Sequence, residues 1–238
     1  MFCACRHCCR WLAYPLPKPN RDPTFREVAT VPRSLSFYFK VSRELLSDAA
    51  NMDAALCQAI AQAFAKELDR TALRGSGSAP EPRGILTTTN VGAVTNGATG
   101  AAQAGLRWSN LLSATQTIMG YDAMPNAFIM APRSAVGYAA LADTTNQPLK
   151  KPDLLRNMPF LVTSQIPVNL TVGTSTDCTE VYAGDFSKVV IVMRERPVIA
   201  LANELFALNG QVGFVAQVRA DIAVLYARAF AVITGIRA

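Results

Sequence analysis

The chain has 238 residues, half of them hydrophobic and only 17% charged, which excludes general disorder and supplies apolar material for one large domain or two small ones. Its formal net charge of +6 lies in the first 43 residues, which hold eight Lys/Arg against two Asp/Glu, while residues 44–238 hold fifteen of each. A basic arm on a neutral body suits a polyanion or a neighbouring subunit, or is a solvated tail.

Residues 1–20 hold four cysteines, the only histidine and three prolines, and are not assigned to the fold. Leu35, Phe37, Phe39 and Val41 alternate with Ser36, Tyr38, Lys40 and Ser42, which predicts a strand with two unlike faces. Pro32 just before it suggests an edge or an entry turn. From Glu44 to Leu73 the apolar steps become three and four residues, through Leu45, Ala49, Met52, Leu56, Ile60 and Phe64. Ser42 suits the N-cap, Glu44 suits the positive end of the dipole, and a helix of roughly 45 Å is expected. Gly75 and Gly77 stop it, followed by Pro80 and Pro82.

Residues 84–104 look like hairpin and loop, with Asn96-Gly97 as the turn. A helix is expected over Leu106 to Met119, a short strand over Ala127 to Met130, and a further helix from Pro132 to Ala142. Residues 143–180 read as loop with short strands such as Phe160 to Thr163. Val189 to Met193 and Pro197 to Leu201 read as two apolar strands. Phe214 to Val224 alternates as a long strand, and the apolar run Ala229 to Ile233 ends the fold.

Residues 10–238 contain no histidine, which removes Ser-His-Asp and Cys-His nucleophilic schemes from the body of the chain. Its carboxylates are scattered, and no catalytic residue is assigned. Cys3, Cys5, His7, Cys8 and Cys9 are crowded together without the distant second pair that a zinc site uses, so no metal site is assigned. Gly75-Ser76-Gly77 follows a helix rather than a strand and lacks a lysine with Ser/Thr behind it, so it is a helix stop and not a phosphate loop. No cofactor is expected. Cys57 and Cys178 are expected as buried small hydrophobes in a reducing compartment. The longest uncharged stretch, Gly84 to Leu106, is filled with Thr, Gly and Asn, so no membrane span is expected. Arg6 and Arg10 interrupt the N-terminal apolar stretch and argue against a signal peptide.

Six stretches in this order resemble the major capsid protein family of tailed phages. Val41-Ser42-Arg43-Glu44-Leu45-Leu46-Ser47-Asp48 is similar to the family's junction of strand and spine helix. Gly75-Ser76-Gly77 through Pro82-Arg83-Gly84-Ile85-Leu86 resembles the stretch after that helix. Asn126 to Pro132, Met158 to Pro167, Gly184-Asp185-Phe186 with the strand at Val189, and Phe206 to Ala229 complete the series. The resemblance implies an α+β phage major capsid fold. Its parts would be a peripheral domain of long spine helix and long strands (44–84 and 181–238), an axial mixed domain (85–180) and a partial extended loop (21–43), with 1–20 unassigned.

The function so implied is that of a shell subunit, not an enzyme. Copies of itself would form pentamers and hexamers of an icosahedral shell in the virion, assembled in the bacterial cytoplasm. Packaged double-stranded DNA would be a non-specific partner, and no membrane would be involved. Arg26, Phe37, Phe39, Lys40 and Glu44 are the residues the resemblance places at subunit contacts. Some members of the family join a lysine to an asparagine covalently with help from a glutamate. Asn209 lies in the matching region, but no acid occurs between it and Arg219, so no such crosslink is expected. Two alternatives share the fold: an encapsulin-like nanocompartment enclosing protein, and a shortened prophage remnant with a nucleic-acid-binding N-terminus.

Overall fold

The computed structural model describes residues 27–48, 52–96, 106–202, 206 and 209–237. The alternating segment forms β1 (Arg33–Ser42), and the expected spine helix is seen as α1 (Arg43–Asp48) and α2 (Met52–Arg74), with residues 49–51 outside the described ones. The two apolar strands expected at Val189 and Pro197 are one strand, β7 (Val189–Ala202). A run of 14 residues can absorb Pro197 because the ladder is irregular between Glu195 and Val198, where a missing N–H costs no ladder bond. β7 pairs antiparallel with β8 (Gln211–Val224), and β8 pairs antiparallel with β1. The resulting three-stranded sheet has the order β1-β8-β7, so β1 is an edge strand, as Pro32 suggested. Ile60 and Phe64 of α2 pack on one face of it, against Ala216, Val218, Leu35 and Phe39.

The second sheet has six strands. β2 (Gly92–Thr95), β9 (Phe230–Ile236), β6 (Ser175–Gly184), β3 (Ala127–Met130) and β4 (Phe160–Val162) follow in that spatial order, and β5 (Leu170–Val172) pairs with β6. β2–β9 and β3–β4 are parallel pairs. One face carries α3 (Trp108–Met119) and α4 (Pro132–Ala139). There Leu111, Ala114, Ile118 and Tyr138 close on Phe128, Met130, Val181, Ala183, Ala231 and Ile233. The other face, Tyr182, Phe230 and Val232, is covered by Leu73 from the end of α2, Ile85 and Ile166, and by Val224 from the end of β8. A sheet buried on both faces explains why β9 reads as a continuous apolar run.

The structure departs from the sequence expectations at four places. Residues 84–104 form no hairpin among the described residues: β2 instead pairs with β9, far along the chain, and Asn96 donates from Nδ2 to the Gly235 carbonyl at 3.2 Å (Gly97 lies outside the described residues). α4 ends at Ala139, three residues short of the expected limit. Cys57 is exposed on α2, because the helix turns only the side of Ile60 and Phe64 to the sheet; Cys178 is buried as expected. The domain boundary expected at 180/181 falls inside β6, and β6 and β9 share a sheet with β2, β3 and β4.

The loop after α2 folds back on the helix end. Ile85 and Leu86 donate to the Ala72 and Leu73 carbonyls, each at 2.9 Å, which satisfies acceptors that a helix terminus leaves open. Gly75 and Gly84 make this return possible. A Cβ on Gly84 would collide with the Gly75 and Arg74 amide nitrogens and the Thr71 carbonyl, and one on Gly75 with the Pro82 carbonyl. Arg70 pairs with Glu67 and Glu81, and Glu81 also accepts from the Ser76 amide at 3.1 Å. Hydrogen bonds from Ser76, and then the Arg70 guanidinium, hold the Glu81 carboxyl below its ordinary range.

Gly84→Ala should therefore cost about 1–3 kcal/mol in chemical denaturation, the usual penalty of overpacking. Because Glu81 is depressed in the folded chain, its contribution is present above the ordinary carboxylate pKa and is lost as pH falls through the folded value. Glu81→Gln should lower stability by about 1 kcal/mol at neutral pH. The gap to the parent should close in denaturation curves recorded at progressively lower pH.

Candidate assembly surface

Cross-strand partners share a sheet face, so the register of the three-stranded sheet sorts its side chains. Phe37 lies opposite Ala216, and Ala216 opposite Ile199; Phe39 lies opposite Phe214, and Phe214 opposite Leu201. These two rows are on the face that α2 covers. The helix reaches only the inner part, and Phe37 (41% exposed), Ile199 (42%) and Leu201 (60%) stand in the open. Farther along β7, Val190, Ile191, Met193 and Val198 are also exposed. Exposed apolar side chains clustered along an outer strand such as β7 mark a protein–protein surface, with Phe37 open on the other outer strand.

The residues expected at subunit contacts fall as follows. Arg26 lies outside the described residues. Phe37 belongs to the open row. Phe39, two residues on, is half-buried, stacked on Phe214 at 5.1 Å between ring centroids, and packs against the cluster of Ile60 and Phe64. It therefore holds the sheet to the helix. Lys40 points to the opposite face, its ammonium 5.9 Å from the centre of the Phe206 ring, which also meets Tyr38. Glu44 is exposed in the first turn of α1. The β7 residues were not singled out from sequence, because a continuous apolar run implies burial on both faces. The signal that could have exposed them is the charged Arg194-Glu195-Arg196-Pro197 in the middle of the run.

Several buried or partly buried polar groups lie outside this surface. Glu180 accepts from the Tyr182 hydroxyl at 2.8 Å and lies 3.7 Å from Arg74 Nε. Burial, with the Glu180 charge behind it, keeps the Tyr182 phenol far above its ordinary range. Burial alone does the same to Tyr138. Lys151 donates to the Met158 carbonyl at 2.6 Å, with its ammonium 3.8 Å from the centre of the Phe160 ring, and burial lowers its pKa. Burial, and then the charge of Asp177, raise the Cys178 thiol, which makes it a poor nucleophile. Among the described residues no group of three or more His, Cys, Asp and Glu is placed to hold a metal ion, and no helix is long and apolar enough to cross a membrane.

A model of the phage capsid family matches residues 15–235. The chain belongs to the phage capsid family. Its fold is shared with the capsid of a native GTA particle, at a TM-score of 0.71 and 18% identity over 94% of this chain and 80% of that one. It is shared with a chain from Mycobacterium phage Ogopogo, at 0.67 and 18% identity over 96% and 83%. It is also shared with the SrpI encapsulin of Synechococcus elongatus, at 0.58 and 12% identity over 87% and 74%. No curated protein matches the chain. The mixed α+β architecture of this phage-capsid-family chain is thus the shell fold common to phage capsids and encapsulin, and family and fold both point to a structural protein.

The two phenylalanines should separate cleanly. Phe37→Ser should cost about 1 kcal/mol or less, because the ring is 41% exposed and what it loses is its contact with Phe39, 5.6 Å between centroids. Phe39→Ser should cost about 2 kcal/mol or more by thermal or chemical denaturation, because it leaves Phe214 and the α2 cluster without their packing partner.

Proposed function

We propose that this chain is a shell subunit whose copies assemble into pentamers and hexamers of an icosahedral capsid around double-stranded DNA. The observation that carries the proposal is the family match over residues 15–235 on a chain that leaves apolar rows of a sheet uncovered. In this reading the six-stranded sheet with α3 and α4 is the axial part, turned to the symmetry axes. The three-stranded sheet with α1 and α2 is the peripheral part. A fold neighbour described as a capsid computed with C5 symmetry supports self-association about such axes. In this reading Phe37 on β1 and the exposed side chains of β7 supply apolar parts of subunit contacts, and Lys40, Glu44 and Arg26 are further contact residues. The +6 excess of the first 43 residues suits contact with DNA phosphates irrespective of sequence. Assembly takes place in the bacterial cytoplasm and the product is the virion shell. The work is done by repeated heterologous contact between identical chains, which closes into rings and then a shell.

Size-exclusion light scattering with negative-stain electron microscopy of the purified full chain tests this. Rings or closed shells are the expected result, and a monomer at all concentrations would refute the proposal. The likeness to encapsulin favours a second reading, in which the shell encloses protein. Nuclease-protected DNA in the particles supports the capsid reading, whereas a co-purifying protein with no nucleic acid supports the nanocompartment.

A further inference from the structure

Among the described residues, β7 is a 14-residue strand bonded to a neighbour on one side only. Its other edge is flanked by two apolar runs, Val189 to Met193 and Val198 to Leu201, most of whose side chains are exposed. An open edge of this length and composition is a template for sheet extension by another chain. Between the two runs stand Arg194, Glu195, Arg196 and Pro197. The ladder to β8 is irregular on both sides of Glu195, and the Glu195 carboxylate lies 3.8 Å from Arg219 on β8. Charge, proline and bulge are three separate means of blunting an edge strand, and here they coincide within four residues.

We propose that Arg194-Glu195-Arg196-Pro197 is a guard segment that prevents one copy's β7 from adding edge to edge to the β7 of a second copy. The geometry of such an addition carries the argument. Two identical strands joined at the same edge form an antiparallel pair about a two-fold axis. Hydrogen-bonded and non-bonded pairs alternate along an antiparallel ladder, so the axis must pass through a pair and set one residue opposite its own mate. Centred on Glu195, the pairing puts carboxylate against carboxylate and Arg194 against the second copy's Arg196. Centred on Arg194 or Arg196, it puts guanidinium against guanidinium. Centred on Pro197, it opposes two residues that lack an amide hydrogen and sets Glu195 against the second copy's Ile199. Every register that would use both apolar runs thus places like charges face to face, buries a charge against an aliphatic chain, or loses ladder bonds. The apolar side chains of β7 remain available to a partner, but only through the sheet face. The inference concerns any association of this chain and stands whether or not the shell reading does.

The test uses the full chain with Arg194→Thr, Glu195→Val, Arg196→Thr and Pro197→Val combined, beside a control with Arg194→Lys, Glu195→Asp and Arg196→Lys. Light scattering and thioflavin T fluorescence are read across a concentration series. The smoothed strand should form thioflavin-positive, open-ended material at a threshold about tenfold below that of the parent, the shift that a loss of roughly 1.4 kcal/mol of opposition to pairing gives. The charge-preserving control should behave as the parent does. A smoothed variant with the parent's size distribution and no fluorescence rise would overturn the proposal, as would a control that aggregates equally. Should the combined variant lose its near-ultraviolet circular dichroism, Arg196→Thr and Pro197→Thr decide singly. Each should lower the threshold by a smaller factor, and no change in either refutes the guard.

Discussion

The buried link between Glu180, Tyr182 and Arg74 fixes how the two halves of the molecule meet. Glu180 sits on β6, inside the six-stranded sheet, and Arg74 is the last residue of α2. A carboxylate taken out of water is tolerated only where hydrogen bonds and an opposite charge replace its hydration. Here both come from fixed positions: the hydroxyl of a neighbour on the same strand and a guanidinium at a helix terminus. Such a link adds little net stability against an apolar equivalent, but it is intolerant of a helix displaced along or around its axis.

The remaining packing follows from that anchoring. With Arg74 held, Leu73 and the returning Ile85 cover Tyr182 and Phe230, and the far part of α2 is carried over the three-stranded sheet, where Ile60 and Phe64 find Ala216 and Val218. β8 makes the same crossing by another route, since Ala216 and Val218 belong to one cluster and Val224 to the other. A helix and a strand, each shared by two cores, brace the two sheets. The contrast in burial then becomes intelligible. The six-stranded sheet is covered on both faces, whereas the three-stranded sheet has one helix for a cover and leaves the side chains of β7 in solvent.

Much of this was legible in the letters of the chain. β1, α2, α3 and β8 were readable because each keeps a period, two for a strand and three to four for a helix, over enough residues, and β3 was readable as a short apolar run ahead of Pro132. β6 was not, although it lies in the middle of its sheet, because Ser175, Thr179 and Glu180 make it look like a loop. Thr179 is accommodated by donating to the Pro167 carbonyl at 2.9 Å, and Glu180 by Tyr182 and Arg74, partners that sequence does not reveal. β2 was misread for a related reason. A local Asn-Gly signal predicts a hairpin, and nothing within reach of a short window announces a parallel partner at residues 231–234. At the candidate surface, alternation placed Phe37 and Phe39 on one face correctly but could not say that the helix stops short of Phe37. The apolar character of β7 was visible, and its exposure was not.

The place of β9 in its sheet has a consequence for how the chain is made. β9 is the last strand in sequence, yet in space it lies between β2 and β6. While the ribosome is still adding residues 230–236, β2 has no hydrogen-bonding partner and β6 has an open side. Neither can wait by pairing with the other, since the gap between them is one strand wide. The apolar surfaces of α3 and β3 therefore stay incompletely covered until β9 is made, and the sheet closes through contacts of high sequence separation, the slow kind. A shell protein of this topology is at its most adhesive before β9 docks, and identical chains crowded together at that stage are exposed to one another.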